Sequence, residues 1–203
     1  MTTGTAGASL VVLAKDAHAA KTRLQLPREE ARQLALRLAA STVRAGLAAE
    51  TVGAVLVVTS DPDIARDARG VGAEVVAEPH PLGMNRAAAL GRRRALEARP
   101  DAPVAVVVAD LPELQPTDLD AVVREFATSG SPLYVTDRQG TGTTFLVHGP
   151  ERCPGFGFGR HSAAMHHRLG YQRAASGPPS LRRDLDTAED LAALSVPGVL
   201  VPS

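Results

Sequence analysis

The chain has 203 residues, a formal net charge of zero at pH 7 and an ordinary apolar content of 44%. That length fits one domain burying roughly 70% of its unfolded surface, and zero net charge leaves no global field to draw it to nucleic acid or an anionic membrane. With no Trp, two Tyr and four Phe there are few rings to stack bases, and the lone Cys153 excludes an internal disulfide and a cysteine-based zinc cluster.

In chain order, Ser9 to Ala14 reads as a short buried strand. Pro27 to Glu30 then opens a helix running to about Leu47, since proline in the first turn followed by acids is helix-start chemistry. Ala54 to Val58 is a second buried strand, followed by a cap and helix start at Thr59 to Pro62. Glu74 to Ala77 is a third strand, Asn85 to Ala98 a helix, and Val104 to Val108 the strongest strand. A helix from about Pro116 to Thr128 precedes two close strands, Leu133 to Val147 overall, divided by the turn-rich Asp137 to Thr143. Helices at His161 to Leu169 and Thr187 to Leu194 close the chain.

Strand and helix alternating from the N-terminus predict a mostly parallel sheet covered on both faces, with an antiparallel edge from the later strands. No apolar run reaches membrane-spanning length, and Met1 to Ala8 is small and polar, unlike a signal peptide. The expectation is a cytoplasmic protein with one domain over 9–195 and flexible or loosely ordered termini at 1–8 and 196–203.

Only two lysines occur against twenty arginines, and both, Lys15 and Lys21, lie with Arg23 just after the first strand. Lysine is a compact ammonium and arginine a rigid fork, so they are not interchangeable at a phosphate site. Ligands of open α/β sheets sit at the carboxyl ends of strands, where this segment falls. Neither a P-loop nor a Gly-x-Gly-x-x-Gly pattern is present, so side-chain cations more than a glycine cradle would hold a phosphate there; the plain alternative is a solvated basic loop.

Asp110 follows the strongest strand and precedes Pro112, a good place to grip a metal. Asp184 and Asp186, one residue apart on an extended segment, point the same way. Three such carboxylates suit the oxygen preference of Mg²⁺; the plain alternative makes Asp186 a helix cap and Asp184 an arginine partner. The Asp137 to Thr143 turn and the Phe156 to Ser162 loop each offer backbone amides and hydroxyls to an anion. Asn85 reads as a helix cap or a contact to a base or ribose edge. His161, His166 and His167, with Arg168, read as a solvated or substrate-facing basic surface. No serine, cysteine or histidine–acid constellation supports a covalent nucleophile.

From Val11 to about Leu194 these motifs, in order, resemble the 2-phospho-L-lactate/phosphoenolpyruvate guanylyltransferases of coenzyme F-420 biosynthesis, relatives of the molybdenum-cofactor guanylyltransferase. The matching stretches are Lys15 to Leu24, Gly83 to Asn85, Asp110 to Pro112, Asp137 to Thr143, Phe158 to Ser162 and Asp184 to Thr187. Departures are Met84 in place of Leu, Thr144 in place of Asn, and Arg160-His161 before Ser162.

The resemblance implies a nucleotide-diphospho-sugar-transferase-like, Rossmann-like three-layer sandwich. It implies Mg²⁺ on Asp110, Asp184 and Asp186, and GTP on Lys15, Lys21, Arg23 and Asn85. Thr143, Gly159 and Ser162 would hold a phosphorylated three-carbon acid, phosphoenolpyruvate or 2-phospho-L-lactate. Asp110, Lys21 and Arg23 would carry catalysis, in a monomer or homodimer needing neither nucleic acid nor membrane. A molybdenum-cofactor-type nucleotidyltransferase would be expected to carry a glycine-rich first loop, which is absent; a non-catalytic nucleotide-binding module is the other alternative.

Overall fold

The protein is described by a computed structural model covering residues 7–14, 26–192 and 194. A seven-stranded sheet, ordered β3-β2-β1-β4-β6-β5-β7, forms its middle layer. Its first four members are β1 (Ala8–Leu13), β2 (Val52–Thr59), β3 (Glu74–Ala77) and β4 (Val104–Val108), all mutually parallel. On the far side lie β6 (Thr143–His148), antiparallel to β4, then β5 (Leu133–Thr136) and the two-residue β7 (Gln172–Arg173). All five side chains of β4 are buried, which is why this strand reads as an unbroken apolar run and not as an alternation.

The helices are α1 (Arg28–Ala48), α2 (Pro62–Gly70), α3 (Met84–Ala98), α4 (Pro116–Ser129), α5 (Ser162–Leu169) and α6 (Ala188–Ala192). Two glycines show how the outer layers close. A Cβ on Gly46 of α1 would collide with Leu10, and one on Gly91 of α3 would collide with Val11. Leu10 and Val11 are neighbours on β1 and point to opposite faces, so α1 and α3 cover opposite sides of the sheet. Among the described residues no helix is long and apolar enough to cross a membrane.

Local chemistry sets the helix ends. Asp61 caps α2 by accepting from the amides of Asp63 and Ile64, with Pro62 in the first turn. Gln115 and Asp118 form a reciprocal capping box on α4, which stops at Gly130 in the left-handed conformation. Asp120 of α4, only 2% exposed, accepts from the Thr51 amide at 2.8 Å and the Thr51 hydroxyl at 2.7 Å. That carboxylate ties α4 to the turn between α1 and β2.

Candidate active site

Strand order reverses between β1 and β4. The chain builds outward through β2 and β3, then crosses by α3 to lay β4 on the other side of β1. Connections leaving in opposite directions open a crevice at the carboxyl ends of these strands, where ligands bind. Asp110 stands there, two residues past β4; the ladder extends to Ala109, whose amide bonds to the Leu13 carbonyl at 3.2 Å. On the β1 side, Lys15, Lys21 and Arg23 lie outside the described residues.

The segment carrying Asp184 and Asp186 is fastened across that crevice. Thr144 donates to the Leu181 carbonyl at 2.6 Å, and Ser180 to the Asp118 carboxylate at 2.6 Å. Arg182 donates to the carbonyls of Thr136 and Asp137, while Arg183 pairs with Glu113 at 2.8 Å. The last tie is the Leu185 amide, which donates to the Asp110 carbonyl at 3.0 Å. Leu185 itself is buried against Leu34 and Leu38, so alternation turns Asp184 and Asp186 the other way.

Electrostatics register the result. Burial, then the charges of Asp110 and Asp186, push the Asp184 carboxyl up to about 7, with Asp137 adding to the shift. The plain alternative for these acids does not hold. Thr187 accepts from the Asp190 amide at 3.2 Å, and the Asp190 carboxylate accepts from the amides of Asp186 and Thr187. The cap of α6 is therefore Thr187, and Arg182 and Arg183 are committed elsewhere.

Oxygen donors sharing one negative field suit a hard cation such as Mg²⁺, which relieves their repulsion. Among the described residues no group of three or more metal-ligating side chains already stands at coordinating spacing. A shared field links Asp110, Asp184 and Asp186, and not a finished cage.

Thr143 and Ser162, both buried, start β6 and α5, and the Ala163 amide bonds to the Thr141 carbonyl at 3.0 Å to draw the two elements together. Gly159 has φ +131°, a conformation side chains rarely adopt. The expected amide cradles are differently used. The amides of Thr141 and Gly142 donate to the Asp137 carboxylate at 2.9 and 2.7 Å, and a Cβ on Gly142 would strike that carboxylate. The amides of Gly157 and Phe158 donate to His166 Nε2 at 2.9 Å and to Asn85 Oδ1 at 2.7 Å. These four amides serve the protein itself, and the Thr143 hydroxyl stands 2.9 Å from His166 Nδ1.

Two residues take roles that differ from expectation. Asn85 is not a helix cap: Gly83 holds that position, and the Asn85 carboxamide clamps Phe158 by also donating from Nδ2 to its carbonyl at 3.1 Å. One amide hydrogen and one lone pair remain, and Asn85 is exposed. His161, His167 and Arg168 are on the surface as expected, but His166 is fully buried.

His166 sits in an aromatic nest, 5.0 Å from the Phe158 ring and 5.6 Å from Tyr171, both edge-on. His148 is 6.1 Å from Phe156 and 6.5 Å from Tyr171. A chain with six Phe and Tyr in total thus spends three of them behind one loop. That clustering of Phe156, Phe158 and Tyr171 around the histidine pair was the available signal for its burial.

Comparisons with known proteins point to one family. Residues 23–183 match the MobA-like NTP transferase domain. The phosphoenolpyruvate guanylyltransferase of Thermomonospora curvata is 42% identical over 190 residues, covering 91% of this chain and 82% of the relative. That of Salinispora arenicola is 40% identical over 187 residues, covering 91% and 86%. Among solved structures, a putative nucleotide-diphospho-sugar transferase from Desulfovibrio desulfuricans superposes with a TM-score of 0.67 at 15% identity, covering 91% of this chain and 84% of that one. The last likeness speaks to the fold alone.

Proposed function

The chain belongs to the MobA-like NTP transferase family and groups with its phosphoenolpyruvate guanylyltransferases, and on that premise we propose that it transfers GMP from GTP to the phosphate of phosphoenolpyruvate or 2-phospho-L-lactate. A bond forms between an acceptor phosphate oxygen and the α-phosphorus, and pyrophosphate leaves. The carrying observation is the convergence of Asp110 with Asp184 and Asp186 at the reversal between β1 and β4, held by the Leu185–Asp110 bond. The reading places the enzyme in the cytoplasm, in coenzyme F-420 biosynthesis, as a monomer or homodimer.

The chemistry asks for positioning and charge neutralisation, and no general base is required. A phosphate monoester has its second pKa near 6, so the acceptor is largely dianionic at pH 7. Asp110, Asp184 and Asp186 would hold Mg²⁺, which when bound supplies Lewis-acid charge relief at the phosphates. Lys15, Lys21 and Arg23 would bind the triphosphate, with Lys21 and Arg23 stabilising the departing pyrophosphate. Asn85, already clamping Phe158, retains one donor and one acceptor for the nucleotide. Thr143, Gly159 and Ser162 would receive the phosphorylated acid and hold its phosphate in line with the α-phosphorus.

The test is release of pyrophosphate from GTP, Mg²⁺ and phosphoenolpyruvate, with the GMP adduct identified by mass spectrometry. A panel of four nucleotides against phosphoenolpyruvate, phospholactate and phosphoglycerate then reads base and acceptor choice. No release with any phosphorylated three-carbon acid would sink the reading.

A further inference from the structure

We propose that His166 is a positioning residue for the phosphorylated acid, which orients the Thr143 hydroxyl as a donor and anchors the Phe156 to Gly159 loop beside it. The proposal rests on the functional reading above for the identity of the acid.

Hydrogen-bond bookkeeping around the ring has one solution. The Gly157 amide can only donate, and it reaches His166 Nε2 at 2.9 Å, so Nε2 presents its lone pair. A neutral imidazole then carries its hydrogen on Nδ1. Thr143 Oγ1 stands 2.9 Å from that nitrogen. Facing an N–H, the hydroxyl oxygen must accept, which turns its own hydrogen away from the ring and toward an outside acceptor.

The surroundings hold the ring in this form. His166 is fully buried, and burial pushes its pKa down to about 4, against a backbone hydrogen bond at Ser162, which raises it. Phe158 and Tyr171 pack their edges around the imidazole at 5.0 and 5.6 Å, fixing its plane. The Tyr171 hydroxyl in turn donates to the Gly155 carbonyl at 3.2 Å, so ring and loop share one support. One imidazole therefore addresses β6 through Nδ1, the Gly157 backbone through Nε2, and α5 by being part of it. Thr143, Gly159 and Ser162, expected to receive the acid, each belong to or adjoin one of those three pieces.

Two measurements on the full chain test this. First, long-range ¹H–¹⁵N correlation of the histidine side chains, with His166 assigned by its loss in His166→Asn, should show the hydrogen on Nδ1; a hydrogen on Nε2 overturns the proposal. Second, His166→Gln keeps an acceptor for Gly157 but lacks the Nδ1–H. It should raise KM for phosphoenolpyruvate about tenfold, the loss of one good hydrogen bond, with KM for GTP and kcat nearly unchanged. In a Thr143→Val background the same substitution should add almost nothing.

Parallel rises in both KM values, or an undiminished effect without the Thr143 hydroxyl, would show that His166 only fills space. If His166→Gln does not fold, His166→Asn, whose amide nitrogen replaces the Nδ1–H, should retain KM for phosphoenolpyruvate better than His166→Leu; equal losses count against the proposal. Turnover in which the two KM values rise together removes this proposal alone, whereas an unmodified protein inert with every phosphorylated acid removes the functional reading as well.

Discussion

The amide of Leu185 donates to the carbonyl of Asp110 at 3.0 Å, joining two segments 75 residues apart at the carboxyl end of β4. This one bond places the acids on either side of Leu185 within the field of Asp110. The Asp184 carboxyl is raised to about 7 as a consequence of burial and of those neighbouring charges. Such repulsion is destabilising unless a cation relieves it.

Asp184→Asn is therefore expected to stabilise the metal-free protein while abolishing turnover. An unfolded aspartate titrates near about 4, so the folded state binds more protons between about pH 4 and 7, and wild-type stability falls across that window. The gain from Asp184→Asn should be absent near pH 4 and reach roughly 1–3 kcal/mol above pH 7. Chemical denaturation in chelator, repeated at both pH values, reads it. A variant less stable than wild type at pH 8 would contradict the electrostatic account. Asp110→Asn should likewise end turnover with the fold intact by circular dichroism; near-normal activity would remove its metal-binding role.

Asp120 behaves in the opposite sense. Burial raises its proton affinity, but hydrogen bonds from Thr51 and the Glu50 amide, with Arg124 nearby, outweigh it and hold the carboxyl below the usual range. Its contribution is present in full above the unfolded value near about 4 and is lost as pH falls through the folded value. Asp120→Ala should cost about 1–3 kcal/mol at pH 7, because the Thr51 donors lose a buried acceptor. The difference from wild type should shrink below pH 4. A cost that persists unchanged at pH 2.5 would point to packing.

Much of this architecture was legible because its causes are local. Val104 to Val108 is apolar throughout, the pattern of a strand covered on both faces, and Asp61-Pro62 is a cap followed by a first-turn proline. Asp110, Asp184 and Asp186 stood out together in the sequence as well, and the Leu185 amide on the Asp110 carbonyl is what brings their segments to one place. What stayed hidden depends on distant partners. β7 is two exposed residues held by backbone bonds from Gln172 to Pro132 and from Ala174 to Tyr134. No side-chain periodicity can announce such a strand. The filling of the Asp137 turn by its own carboxylate was likewise invisible, because glycines and hydroxyls in a turn look the same whether the amides face a ligand or an aspartate.

Gly91 shows how tightly α3 lies on the sheet. A Cβ there would stand 2.9 Å from Val58 Cγ2 and nearer still to Val11, both inside the core. Gly91→Ala should destabilise by about 1–3 kcal/mol through overpacking, although alanine is the better helix former. Gly70, at the end of α2, has open space around its Cβ position and no left-handed backbone. There alanine should be neutral or stabilising by roughly 0.4–1 kcal/mol, through the unfolded chain's lost freedom. Thermal denaturation of the two variants side by side decides it; equal responses would mean that the α3 contact relaxes freely.

We propose that Asn85 serves both substrates. Its carboxamide holds Phe158 by two bonds, at 2.7 and 3.1 Å, and leaves one hydrogen and one lone pair on an exposed side chain that opens toward solvent. If the clamp sets the loop and the spare groups meet GTP, Asn85→Ala should raise KM for phosphoenolpyruvate and for GTP, each by about tenfold. Asn85→Asp offers a sharper reading. The carboxylate still accepts from the Phe158 amide, but it sets negative charge against the Phe158 carbonyl and against an incoming phosphate. Its KM for phosphoenolpyruvate should exceed that of Asn85→Ala, while thermal stability changes by no more than about 1 kcal/mol at this exposed site. A rise confined to GTP would assign Asn85 to the nucleotide alone and leave the loop to His166 and Tyr171, whose bonds to Gly157 and Gly155 do not pass through it.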